Sequence, residues 1–181
     1  METNKEIKLF VSKKVSWHEA VWFKGHIPKY AFNFWVANKC RLPLCTRLLK
    51  WGIGSSDACC MCNLHEETRD HLFLQCEVSI QVLKLLLTRL GEPSKTFASW
   101  PHFIDWILGP SPHTPKIIKL LASQTVIYFL WKERNLRLHE NVSSTLNLIF
   151  RLFDRSIREA IHTQNRTQST DLLSSWFRHA N

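Results

Sequence analysis

Three cysteines and a histidine, spaced Cys59-x2-Cys62-x8-His71-x4-Cys76, constrain this chain more than any other feature. Two thiols separated by two residues can grip one cation from a tight knuckle, and a more distant His/Cys pair supplies the other corners of a tetrahedron. Thiolates are soft donors and favour zinc over magnesium or calcium. Four closed N/S ligands leave no position for an activated water, so the spacing predicts a structural Zn2+ site and not a catalytic one. Cys60 lies inside the pair and could replace Cys59, but its spacing to Cys62 is poorer, so it reads as a spare or as a sulfur just outside the ligand set. His65 is a rival to His71, with His71 favoured because it pairs with Cys76 at the start of the following helix. A structural zinc contributes about 10 kcal/mol or more of apparent binding free energy, so metal is expected to weigh heavily in folding.

The other use of six cysteines would be a disulfide framework. The opening METNKEIKLF lacks the apolar stretch and cleavage site of a secretory signal, and reducing compartments keep thiols free. No segment reaches the roughly 18 apolar residues of a membrane span, and LLASQTVIYFLW at 120–131 is too short. These features lead to the expectation of an intracellular protein, nuclear or cytoplasmic, with no membrane partner. Cys40 and Cys45 read as packing residues.

Hydrophobic periodicity predicts a mainly α fold: a small helical domain organised by one CCHC zinc knuckle, followed by a helical hairpin. Residues 30–40 read as a buried helix, with Phe32, Phe34 and Trp35 in the core. A short helix over 46–51 stops at Gly52, and Leu83, Leu86, Leu87 and Leu90 form one stripe of a helix that ends before Gly91 and Pro93. Residues 93–115 hold five prolines and read as a linker, interrupted by a short apolar piece from Phe103 to Leu108. The segment 116–139 is apolar in its first turns and gives way to a wet end at Lys132, Glu133, Arg134 and Arg137. Residues 144–162 are amphipathic, with Ile149, Phe153, Ile157 and Ile161 on one face. The expected organisation is a basic tail at 1–16, a zinc-binding domain at 17–92, the linker at 93–115, a hairpin at 116–162 and a flexible tail at 163–181.

The net charge is +9, and residues 1–56 carry ten Lys/Arg against three Glu. A basic flank beside a metal loop suggests contact with a polyanion, because phosphate neutralisation supplies most non-specific nucleic-acid affinity. Lys39, Arg41, Arg47 and Lys50 are the predicted phosphate contacts, with Trp51 or Tyr30 available to stack on bases of RNA or DNA.

With these residues in place, the stretch from Trp17 to Leu90 resembles the zinc-binding region that follows the polymerase domain in reverse transcriptases of plant LINE-type, non-LTR retrotransposons. The resemblance rests on VWFKGHIPKYAFNFWVANKCRLPLCTRLLKWGI and on CCMCNLHEETRDHLFLQC, where Glu67 to Cys76 is similar to the family's Glu-x3-His-Leu-Phe-x2-Cys wording. WKERN at 131–135 resembles a phrase found downstream in such elements. The resemblance implies Cys59, Cys62, His71 and Cys76 as ligands. Where the family usually reaches a Trp beyond its last Cys, this chain has Val82-Leu83.

No Asp-Asp pair occurs, so the polymerase carboxylates are absent, and Asp105, Glu133, Asp154 and Asp171 do not make an RNase H set. A Cys60/His65 or Cys60/His71 nucleophile has no orienting third group. The reading is a non-catalytic, retrotransposon-derived accessory module that binds nucleic acid. Its alternatives are a structural module with a protein partner, and a relic without a selected role.

Overall fold

Helices begin and end where the sequence places conformational stops in the computed structural model, which describes residues 17–163 and 166–178. The expected basic tail at 1–16 lies outside these residues. After a single turn, α1 (His18–Val21), Pro28 opens α2 (Pro28–Asn38), where a fixed φ suits the first helical turn and no N–H is lost. The chain leaves α2 through Cys40, whose φ is 52°. Gly52, at φ 73°, ends α3 (Cys45–Lys50), and Gly91, at φ 64°, follows α4 (Glu77–Arg89). Both glycines take a left-handed conformation that a Cβ would strain. Between α3 and α4 lies a loop that closes on a π-helical turn at His71–Gln75.

The second half comprises α5 (Trp100–Leu108), α6 (Lys116–Glu140), α7 (Leu146–Thr163) and α8 (Arg166–Phe177). Asn141, left-handed at φ 54°, turns the chain between α6 and α7, which pack together. The fold is mainly helical, as the periodicity predicts. Among the described residues Ala58 and Glu66 make the isolated antiparallel bridge.

One apolar core runs through both halves, from Ala20 and Phe34 through Leu72, Phe73 and Leu86 to Phe103, Ile127, Phe153 and Trp176. α2 packs on α6, and α4 lies against the π-helical turn, α6 and α7. Gln124, buried in the middle of α6, donates to the carbonyls of Ala20 and Val21 at 2.9 and 2.8 Å and so satisfies the open end of α1.

The proline-rich segment is not bare chain. Ser99 caps α5, and Trp100, Phe103, Ile104 and Ile107 enter the common core. The Trp100 indole donates to Asn38 on α2 at 3.0 Å, while its amide donates to Asp70 at 3.1 Å. Within 163–181, α8 docks on α7 and buries Trp176, whose indole donates to Asp154 at 2.9 Å.

Three expectations need correction. Phe32, read as core, is 59% exposed, whereas Phe34 is fully buried. Cys40 is exposed, because it serves as the left-handed exit of α2 and not as a packing residue. The end of α6, read as wet, buries both Glu133 and Arg134. Glu133 pairs with Arg137 one turn along the helix, whereas Arg134 is neutralised by Glu67, 67 residues away in sequence, which a helical pattern does not reveal.

Candidate metal centre

The knuckle is built by a small reversal of the chain at 57–67. The amide of Cys59 donates to the carbonyl of His65 at 2.8 Å, and that of Glu67 to Asp57 at 2.7 Å. Asn63, left-handed at φ 58°, supplies the tight return, and its amide donates to the Cys59 carbonyl at 2.8 Å. The amide of Met61 points at the Cys59 sulfur, 3.4 Å away. Thr68 accepts from the amide of His71 and starts the π-helical turn, and Cys76 then stands at the N-terminus of α4.

This folding brings Cys59, Cys62, His71 and Cys76 together, with their ligand atoms all within 4.8 Å of one another. Cys62 Sγ lies 3.3 Å from His71 Nε2. A tetrahedral zinc with bonds of roughly 2.0–2.3 Å needs its ligand atoms spaced by somewhat under 4 Å, so the donor set and its spacing fit that ion. Cys59 and Cys76 are fully buried, Cys62 is partly so, and His71 is 8% exposed. A tetrahedron of these four has no open corner, which suits a structural ion.

The electrostatics divide the donors, with Cys76 and His71 favouring the forms that bind metal and Cys59 holding its proton. The hydrogen bond with Cys76, together with burial, pushes the Cys59 thiol well up, and the same contact pulls the Cys76 thiol down despite its burial. Burial and the neighbouring His65 lower the His71 imidazole, favouring the neutral ring that coordinates metals. The rings of His65 and His71 lie 5.1 Å apart, but His65 is exposed and outside the cluster.

Cys60 points elsewhere. Its sulfur lies 3.4 Å from that of Cys45, and the two group with Glu67. Burial raises both thiols, Cys60 to about 12. Glu67 accepts from the amides of Cys45 at 2.8 Å and Cys60 at 3.1 Å, and from Arg134 at 2.6 Å. Burial alone would raise the Glu67 carboxyl, but Arg134 and the two amides outweigh it and hold it below the usual carboxylate range. Arg137, paired with Glu133 at 2.7 Å, donates to the carbonyl of Met61 at 2.8 Å. Two arginines from the end of α6 thus hold the knuckle.

Sequence reasoning missed this support. Its signals were present in the Glu67 of the Glu-x3-His wording and in Arg134 of WKERN, yet neither residue type announces a partner at such separation.

Of the predicted phosphate contacts, Lys39, Arg41 and Lys50 are exposed and Arg47 is half-buried. The Lys39 ammonium sits 4.5 Å from the centre of the Trp17 ring. The Arg47 guanidinium lies over Trp51 at 4.7 Å and donates to the Cys40 carbonyl. Trp51 is open to solvent, but Tyr30 is buried against Tyr128 and cannot stack on a base. Among the described residues no helix is long and apolar enough to cross a membrane.

Neither the curated proteins nor the solved structures provide a match to the chain. Residues 5–82, which contain all four clustered donors, match the family described as zinc-binding in reverse transcriptase.

Proposed function

We propose that the chain is a non-catalytic zinc module in which Cys59, Cys62, His71 and Cys76 hold one Zn2+, and that it binds single-stranded nucleic acid through Lys39, Arg41, Arg47 and Lys50. The observation that carries the metal assignment is the closed cluster of four soft donor atoms within 4.8 Å. The ion's work is to fix the knuckle, and no coordination position is left for chemistry on a substrate.

Support for the nucleic-acid reading comes from the surface around α2 and α3. Three exposed cations and the exposed Trp51 ring share this region, a combination suited to phosphate and base. Nearby, a cavity of about 310 Å³ is lined by Trp17, Lys39, Arg69 and Trp100. Arg69 faces the Trp100 ring at 5.0 Å as Lys39 faces Trp17, so each indole is paired with a cation. The family match supports a retrotransposon origin for such a module, in keeping with the resemblance of its motifs to plant LINE elements.

A protein-interaction role is the second reading, favoured by Leu49, Ile53 and Leu64, which stand exposed beside the knuckle.

Elemental analysis of the purified chain tests the metal: one zinc per chain is expected, with loss in both Cys62→Ser and His71→Ala, and a metal-free parent overturns the assignment. Fluorescence anisotropy with single-stranded RNA and DNA oligonucleotides across a salt series tests the rest. Affinity should fall steeply with salt, and Lys39→Ala, Arg41→Ala and Lys50→Ala should each reduce the logarithmic salt slope by about 1. Binding that is absent, or insensitive to salt, leaves the protein-interaction reading.

A further inference from the structure

We infer that Cys45 and Cys60 form an oxidative modification site, separate from the metal cluster, in which a peroxide converts the two thiols to a disulfide that ties the knuckle to α3. Their sulfurs already lie 3.4 Å apart, and a disulfide bond of about 2.05 Å requires an approach of about 1.4 Å. Side-chain rotation can provide much of that approach. The backbones are held for it: one carboxylate, Glu67, receives the amides of both cysteines.

A metal is the obvious rival for this cluster, since Cys45, Cys60 and Glu67 have ligand-like proximity. The surroundings argue against it. The Glu67 oxygens are engaged by Arg134 and two amides, and the Arg134 guanidinium also reaches the Cys45 sulfur at 3.4 Å. A divalent ion would face a fixed positive charge and find two donors, whereas a neutral disulfide is compatible with both.

Reagent can reach the pair. Cys45 and Cys60 line a cavity of about 460 Å³ with Leu48, Ile53, Leu138 and His139, and Cys60 is the more exposed of the two. The Cys60 sulfur attacks a peroxide oxygen: an S–O bond forms, the O–O bond breaks, and the departing hydroxide leaves as water with the thiol proton. The Cys45 sulfur then attacks the sulfenic sulfur, the S–O bond breaks, and a second water carries away the Cys45 proton. Two thiols are oxidised by two electrons and one peroxide is reduced to two waters. Proximity and not thiol acidity selects the partner, so closure is slow compared with that of an activated cysteine.

The consequence is local. Cys60 stands between Cys59 and Cys62, so the new bond fastens the knuckle to the helix that carries Arg47 and Lys50, while the four clustered ligands keep their own sulfurs and ring.

The test treats the purified, zinc-supplemented full chain with excess hydrogen peroxide, blocks remaining thiols, digests with trypsin without reductant and maps peptides by mass spectrometry. The expected product joins the tryptic peptide at 42–47 to that at 51–69, lighter by two hydrogens than the sum, with zinc content unchanged by the treatment. Fragmentation should place the bond at Cys60, and both Cys45→Ser and Cys60→Ser should abolish the link while leaving the other thiol open to alkylation. Linkage confined to Cys59, Cys62 and Cys76, over-oxidation of Cys60 without a link, or two free thiols after prolonged exposure would each overturn the inference. Zinc analysis of the untreated parent separately reports on the metal assignment.

Discussion

The guanidinium of Arg134 lies 2.6 Å from the carboxylate of Glu67, with both side chains almost completely removed from solvent. Arg134 also donates to the Pro43 carbonyl at 3.2 Å, so one side chain joins the knuckle, the approach to α3 and the end of α6. Removing one member of a buried pair leaves an uncompensated charge, at a cost of about 3–5 kcal/mol. Arg134→Ala is therefore expected to lower stability by that amount in urea unfolding at neutral pH. A loss below about 1 kcal/mol would show that the pair does not clamp the knuckle to α6.

Glu67 also sets a pH dependence. Its carboxyl is held below the ordinary 4.5, so the folded chain binds this proton more weakly than the unfolded chain. The resulting stability is complete above the unfolded value and is lost as pH falls through the lower folded one. Measured with chelator present, so that metal release adds nothing, the stability gap between the parent and Glu67→Gln should stay level from about pH 8 to pH 6 and shrink below about pH 4.5. A gap that widens on acidification contradicts the assignment.

Metal removal should act locally. The apolar core runs through α2, α4, α6 and α7, while the knuckle contributes few apolar side chains to it. Chelation is expected to expose the amides at 58–67 to hydrogen exchange by a factor of about 100 or more, with the centre of α6 little changed. Collapse of protection throughout α6 would mean instead that the ion governs the whole fold.

Trp176 is fully buried, packs edge-on to Phe153 at 6.1 Å and donates to Asp154, which Arg89 contacts at 3.1 Å. Trp176→Ala should cost about 3–5 kcal/mol, since it both empties a core site and removes a donor from a buried carboxylate. Trp176→Phe keeps most of the volume and should cost clearly less. Equal and small effects in calorimetry would place α8 outside the cooperative unit.

Local chemistry made much of this legible in advance. Gly52 and Gly91 mark helix ends because only the local conformation matters there, and the Leu83/Leu86/Leu87/Leu90 stripe is buried as its spacing requires. The four clustered ligands are close in sequence, so their convergence depends on short-range turns. Arg134 and Trp100 were opaque for the opposite reason. A charge on a helix end and an indole among prolines look solvent-facing until partners 67 and 62 residues away come into view. The place of Cys60 was equally hidden, because its neighbouring sulfur is that of Cys45, 15 residues earlier at the start of α3.

The π-helical turn has an implication for chain length. The amide of Cys76 reaches the carbonyl of His71, five residues back, at 2.7 Å. In a regular α-helix, five steps of about 100° would swing Cys76 about 140° around the axis from His71 and face it away. The wider turn takes up much of that rotation, so the number of residues between the two is itself part of the site. Substitutions at 72–75 that keep the buried volume should be accommodated, whereas deletion of a single residue there would spare every ligand and still pull the cluster apart. Descendants of this sequence can drift in letters across this segment, but not in count.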